Sequence, residues 1–246
     1  MRISTDALVI KEKTIKENDR VITLMTRNHG VISAFAHGAK SVKSKKGAGT
    51  GLLTYSDFEL EERKGVFTVK EASVKHCFFI MGEDIADLAL SQYFCEICLV
   101  LGNDEQNSEA FLRTVLNSLY LLTSQKKSRN FLKSVTELRI ASLSGYMPDL
   151  TACAGCGSFE DEKMYFSLSE GILLCGNCKQ QHAQTEFLSP AVLKAMRHII
   201  YSDLKDIYSF SITEENEKTL SEISEKYILF QTEHEFPTLK FYKSLL

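Results

Sequence analysis

The spacing of apolar residues changes once along this 246-residue chain, near Gly82, and the change predicts two kinds of structure. Before it the runs are short and β-like. Ala7-Leu8-Val9-Ile10 is apolar, the segment from Arg20 to Thr26 is rich in β-branched residues, and Gly30 to Ala36 makes a third run. Ser56 to Glu61 alternates, putting Phe58 and Leu60 on one face and Asp57, Glu59 and Glu61 on the other, the period of a half-buried strand. Lys64-Gly65 turns the chain so that Val66 to Val69 pairs back as a hairpin. Five short strands suffice for a small barrel of the OB type, with an SH3-like barrel as the alternative.

After Gly82 the apolar residues recur at helical spacing. Leu88, Tyr93, Phe94, Ile97 and Leu101 mark one helix. Leu112, Val115, Leu116, Leu119 and Leu122 mark a second, capped by Asn107 or Ser108, and Phe131, Val135, Leu138 and Ile140 a third. Ser189-Pro190 opens a fourth, since proline suits the first helical position, and a last helix runs from near Thr213 to Phe230. The expected fold class is α+β. An N-terminal OB-fold β-barrel over 1–80 is followed by an α-helical body over 81–246, with a four-cysteine zinc ribbon over 150–182 inserted in it and protruding.

The ribbon carries the clearest chemistry. Cys153-Ala154-Gly155-Cys156 and Cys175-Gly176-Asn177-Cys178 are two C-x2-C pairs. Each spacing lets two thiolates bend around one ion, and four sulfurs complete a tetrahedron with no position for water, so the expectation is one structural zinc per chain and no zinc catalysis. Between the pairs, Met164 to Ser167 and Ile172 to Leu174 read as strands joined through Glu170-Gly171. The competing reading is a redox or disulfide framework, and His182 is the one substitute ligand nearby. Cys95 and Cys98 share the spacing but fall within a helical apolar pattern, as buried core thiols do. A zinc deaminase would need the H-x-E and P-C-x-x-C arrangement, which is absent.

Charge separates the two regions further. The formal net charge is -3, yet residues 1–80 carry 14 Lys and Arg against 9 Asp and Glu, a net +5 that the later, acidic residues conceal. An anionic partner responds to the local field, so the barrel is the expected nucleic-acid surface. The stretch from Gly38 to Gly51 holds Lys40, Lys43, Lys45 and Lys46 among four glycines and is expected to be a mobile basic loop that follows phosphates without reading bases. Arg20 and Arg27 are the other candidate DNA-binding residues. No Gly-Lys-Ser/Thr opens a helix there, so the glycines are not a P-loop. The start of the chain lacks the apolar core of a signal peptide, and no apolar run approaches the roughly 18 to 20 residues that span a bilayer, pointing to the cytoplasm and no membrane.

The order of parts resembles the RecO family of bacterial recombination mediators. The resemblance is carried by Glu17-Asn18-Asp19-Arg20-Val21-Ile22-Thr23-Leu24-Met25-Thr26-Arg27 with His29-Gly30, by Gly38-Ala39-Lys40, and by Leu239-Lys240-Phe241-Tyr242-Lys243-Ser244-Leu245. It implies a non-enzymatic role in DNA repair and recombination: binding single- and double-stranded DNA, annealing complementary strands and, with RecR, helping RecA onto DNA coated by single-strand-binding protein. It also implies recognition of that protein's C-terminal tail, for which Arg113, Arg129 and Lys133 are candidate partner-binding residues on a cationic rim that also includes Lys126, Lys127 and Arg139. The rival reading is a zinc-ribbon protein-interaction scaffold without direct DNA binding.

Overall fold

The computed structural model describes residues 1–15, 17–41, 44–78 and 84–246. The chain divides into two compact units, Met1–Gln125 with Pro237–Leu246, and Lys126–Phe236. The helices therefore do not form one body after residue 80: three belong to the barrel's unit and three to the ribbon's.

The first unit begins with five strands, β1 (Arg2–Thr14), β2 (Arg20–Thr26), β3 (Val31–Ala36), β4 (Thr54–Arg63) and β5 (Val66–Cys77). They close in the order β1-β2-β3-β5-β4, with every pairing antiparallel except β3 with β5. This is the closed five-stranded arrangement of the OB fold. Every expected strand is present, and β1, β4 and β5 extend well beyond their apolar centres. Alternation fills the interior: Ala7, Val9, Ile22, Leu24, Ala34, Ala36, Phe58, Leu60 and Val69 form the barrel core. The register of β1 against β2 slips between Val9 and Lys11.

Asp6 ties the barrel together. Arg27 donates to it twice, from Nε at 2.7 Å and Nη2 at 2.6 Å, the Tyr55 hydroxyl of β4 donates to the same carboxylate, and Lys75 of β5 stands 3.6 Å away. Burial alone would raise the Asp6 pKa, but these donors hold it well below the usual carboxylate range.

Helices α1 (Ile85–Leu101), α2 (Ser108–Thr123) and α6 (Pro237–Lys243) complete this unit. Asp84 caps α1 by accepting from the Ala86 amide. Ser108 sits inside α2, and its hydroxyl donates to the Arg27 carbonyl at 2.6 Å instead of capping the helix. Cys95 and Cys98 are buried in α1, and burial pushes the Cys95 thiol up to about 12, as expected of inert core cysteines. The sequence pattern did not reveal α6. It packs on α1 through Leu239 and Tyr242, while the Thr238 amide donates to Glu96 at 3.0 Å.

The second unit holds α3 (Arg129–Leu143), α4 (Pro190–Tyr201), α5 (Glu214–Thr232) and four strands, β6 (Asp149–Cys153), β7 (Met164–Ser167), β8 (Ile172–Cys175) and β9 (Thr185–Leu188), ordered β6-β8-β7-β9. The expected hairpin is β7 and β8; β6 and β9 extend it to a sheet. The ribbon does not protrude from this unit. Phe166 and Leu173 are fully buried, Phe166 meets Tyr227 of α5 with ring centroids 5.0 Å apart, and the Tyr227 hydroxyl would lie 2.8 Å from a Cβ at Gly171, the φ +66° turn of the hairpin. Among the described residues no helix is long and apolar enough to cross a membrane.

Asp6→Asn should lower stability by about 1–2 kcal/mol at pH 7, seen as an earlier thermal transition of the full chain. The folded carboxyl ionises below its unfolded value of about 3.9, so the gap from wild type is complete above about pH 5 and narrows as the pH falls through 4. A gap independent of pH would mean the ion pair is not its source.

Candidate nucleic-acid interface and metal centre

Cys153 ends β6, Cys156 lies in the turn after it, Cys175 ends β8, and Cys178 opens a 3₁₀ turn over Cys178–Gln181. Strand ends thus bring both pairs to one place. The four sulfurs lie within 4.8 Å of one another. A tetrahedron with bonds of about 2.3 Å has edges of about 3.8 Å. The Cys156 and Cys175 sulfurs are 3.8 Å apart. Gly155 makes the approach possible, because a Cβ there would stand 2.8 Å from the Cys178 sulfur.

The electrostatics also suit a cation. Burial would push the Cys153 thiol up, but backbone amides of Cys175, Cys156 and Gly155 donate to it and hold it at about 6. Cys178 is pushed up to about 12, first by the neighbouring sulfurs of Cys175 and Cys153. Four thiolates this close repel one another, and a divalent ion relieves that repulsion. The donor set therefore fits a thiolate metal site. His182 is not part of it; its Nδ1 meets Glu170 Oε2 at 2.5 Å.

On the barrel, the segment after β3 is anchored rather than mobile over its described part. Ala48–Thr50 form a 3₁₀ turn with Gly49 and Thr50 buried. A Cβ at Gly49 would meet the Ala72 Cβ at 2.9 Å, and one at Gly47 would meet the Ala39 carbonyl oxygen at 2.6 Å. These glycines permit close approach; they do not loosen the chain. The Ser56 hydroxyl donates to the Gly49 carbonyl at 3.0 Å, and the Glu12 carboxylate accepts from the Leu52 amide at 3.1 Å.

This packing sorts the candidate cations. Lys45 is exposed, and Lys40 is exposed with Nζ 3.3 Å from the Thr14 hydroxyl. Lys43 lies outside the described residues. Lys46 donates to the Val69 carbonyl at 3.0 Å, and burial, then the nearby charge of Lys70, lowers its pKa. Arg20 is largely buried, 3.4 Å from Glu12 and 3.5 Å from the Gly47 carbonyl. Arg27 is held by Asp6 and by Glu109 at 3.2 Å. Both arginines therefore hold the barrel in shape. Sequence reading missed Lys70, which with Lys45 and Lys46 lines a cleft of about 490 Å³ that Glu71 also borders, but its ammonium is paired with Glu61 at 2.7 Å. Lys70 lies one residue beyond the strand expected at Val66 to Val69, and only the extension of β5 to Cys77 places it in a strand.

Three of the six residues of the cationic rim expected on the helices are consumed by structural contacts. Lys133 is buried, its Nζ 3.1 Å from Glu137, 3.0 Å from Glu225 and 2.9 Å from the Ser221 carbonyl. Lys127 donates to the Phe210 carbonyl and lies over the Phe131 ring, and Arg139 donates to the Ile200 carbonyl at the end of α4. Arg113 is exposed on α2 in the first unit, and Arg129 is half-buried in the second.

Comparison with known proteins agrees with this architecture. The Recombination protein O N terminal family model matches residues 1–78, which contain the barrel, and the Recombination protein O C terminal model matches residues 82–240. The chain belongs to the RecO family. The DNA repair protein RecO of Acetivibrio thermocellus is 33% identical over 243 residues, 99% of this chain and 97% of that protein. Those of Alkaliphilus metalliredigens and Symbiobacterium thermophilum are 25% and 26% identical, covering 93% and 98% of this chain and 93% and 97% of theirs. The RecO motif residues now have physical roles. Asp19 accepts from the Gly38 amide at 2.8 Å, joining the β1–β2 turn to the exit of β3, and Gly30 turns the chain at φ +58°.

Lys133→Ala would leave Glu137 charged and buried and should cost about 3 kcal/mol or more. Arg113→Ala, at an exposed position, should shift stability by less than about 0.5 kcal/mol. Equal small effects in thermal unfolding would return Lys133 to the surface.

Proposed function

We propose that this RecO-family chain is a non-enzymatic recombination mediator. It binds single- and double-stranded DNA through its barrel, anneals complementary strands and, with RecR, helps load RecA onto DNA coated by single-strand-binding protein, whose C-terminal tail it recognises. The observation that carries this reading is an OB-type barrel with a local net charge of +5 in a chain that belongs to RecO along both halves.

Phosphate binding falls to cations that no carboxylate has neutralised. Lys40 and Lys45 meet that requirement, Lys43 joins them by sequence, and Lys46 borders the cleft that Lys45 lines, whereas Lys70 across it is paired with Glu61. Ammonium groups neutralise phosphates without engaging base edges, which leaves bases free to pair during annealing. The four-cysteine group would hold one zinc ion through Cys153, Cys156, Cys175 and Cys178, a closed sulfur shell that organises the sheet and leaves no position for a reacting water.

Lys40→Ala, Lys43→Ala and Lys45→Ala combined, with the anchoring Lys46 retained, should weaken single-strand binding similarly for all sequences. The slope of log affinity against log salt should flatten by roughly 0.7 for each phosphate that is no longer neutralised. An unchanged slope would place the DNA elsewhere.

Elemental analysis should find one zinc per chain, and Cys175→Ser should lose it with greater protease sensitivity in the second unit. Full zinc content in that variant would refute the four-cysteine assignment.

A further inference from the structure

We propose that the outer face of β1, β2 and β3 is a stacking platform for an unpaired nucleobase, built on Phe35 with His37 beside it. This rests on the reading of the barrel as a single-strand-binding module and adds a base contact to the phosphate contacts.

Strand register creates the platform. Ala34 and Ala36 are fully buried, so Phe35 between them faces outward and is 36% exposed. Lys13 pairs with Val21, Val21 with Phe35, and Phe35 with Thr68; in the next row Lys11 pairs with Thr23 and Thr23 with Ser33. Paired residues project to the same side, so each row is continuous across the outside of the barrel. The lysines reach that side because of the bulge in β1. Val9 faces the core, and strict alternation would send Lys11 and Lys13 inward as well; the slip between Val9 and Lys11 turns them out, where both are exposed.

The rings are oriented. Those of Phe35 and His37 lie within 10° of parallel with centroids 6.0 Å apart. Asp19 fixes the imidazole: one carboxylate oxygen is 3.3 Å from its Nδ1, and the other accepts from the Gly38 amide at 2.8 Å. Two near-parallel rings present π faces of one orientation, and the exposed ammonium groups of Lys11 and Lys13, two strands away on the same side, complement the phosphates beside a stacked base. One exposed phenylalanine would mean little; an oriented ring pair with cations in register suits a nucleic-acid strand. Every base has a π face, so the contact tolerates any sequence, and it requires a base free of its duplex neighbours.

The chain contains no tryptophan, so Phe35→Trp introduces its only indole. A labelled oligodeoxyadenylate and an abasic strand of equal length are titrated in parallel, with binding followed by anisotropy of the strand and stacking by indole emission. The base-containing strand should quench the emission while the abasic strand, also bound, leaves it unchanged. Phe35→Ala should weaken binding of the base-containing strand about tenfold, leaving abasic binding and the salt slope as in wild type. Binding without quenching, or a Phe35→Ala variant of wild-type affinity, would overturn the platform and leave the phosphate-binding reading intact. If wild type binds neither strand at low salt, both readings fall.

Discussion

The ion pair between Asp6 and Arg27 is the interaction on which the barrel's other features depend. It joins the first strand to the end of the second, recruits Tyr55 from the fourth and Lys75 from the fifth, and brings in Glu109 of α2. A cation so paired has little left for a phosphate, because binding one would require separating it from carboxylates already in place. The basic barrel is therefore divided by function. Arg20 and Arg27 hold the strands and the segment after β3, while Lys11, Lys13, Lys40 and Lys45 remain on the outside. A net charge of +5 overstates the surface available to an anionic partner, and the placement of carboxylates decides which part of it counts.

The second unit applies the same economy to sulfur. Its sheet has a core of its own, with Phe166 and Leu173 packed toward Tyr227, so the thiolates need not supply all the folding free energy of the ribbon. What they fix is the end of the sheet, where β6, β8 and the 3₁₀ turn meet. That turn carries Lys179, whose ammonium lies 3.8 Å from the centre of the Tyr165 ring.

Elements whose apolar period matched their local environment were legible. Phe58 and Leu60 faced inward as their alternation required, and Ser189 capped α4 as the serine-proline pair indicated. The four cysteines were legible because metal-ligand spacing constrains residue type so tightly. Side-chain commitments were not. Nothing in the sequence distinguishes Lys133, buried between Glu137 and Glu225, from an exposed helical lysine, since its second partner lies on another helix. Gly47 and Gly49 read as flexible because composition records permissiveness and not the nearby atoms that demand it. The outward turn of Lys11 and Lys13 was hidden for a related reason: a one-residue slip reverses a face and leaves no compositional trace.

The central claim is that the N-terminal barrel is a phosphate-binding surface in a chain that is acidic overall. Its most direct test is the affinity of the unmodified full-length protein for a single-stranded oligonucleotide across a salt series. Binding is expected at low salt, with a linear fall of log affinity against log salt and a slope of about -2 to -3 for three to four phosphates neutralised. Absence of binding at low salt, or an affinity indifferent to salt, would contradict it.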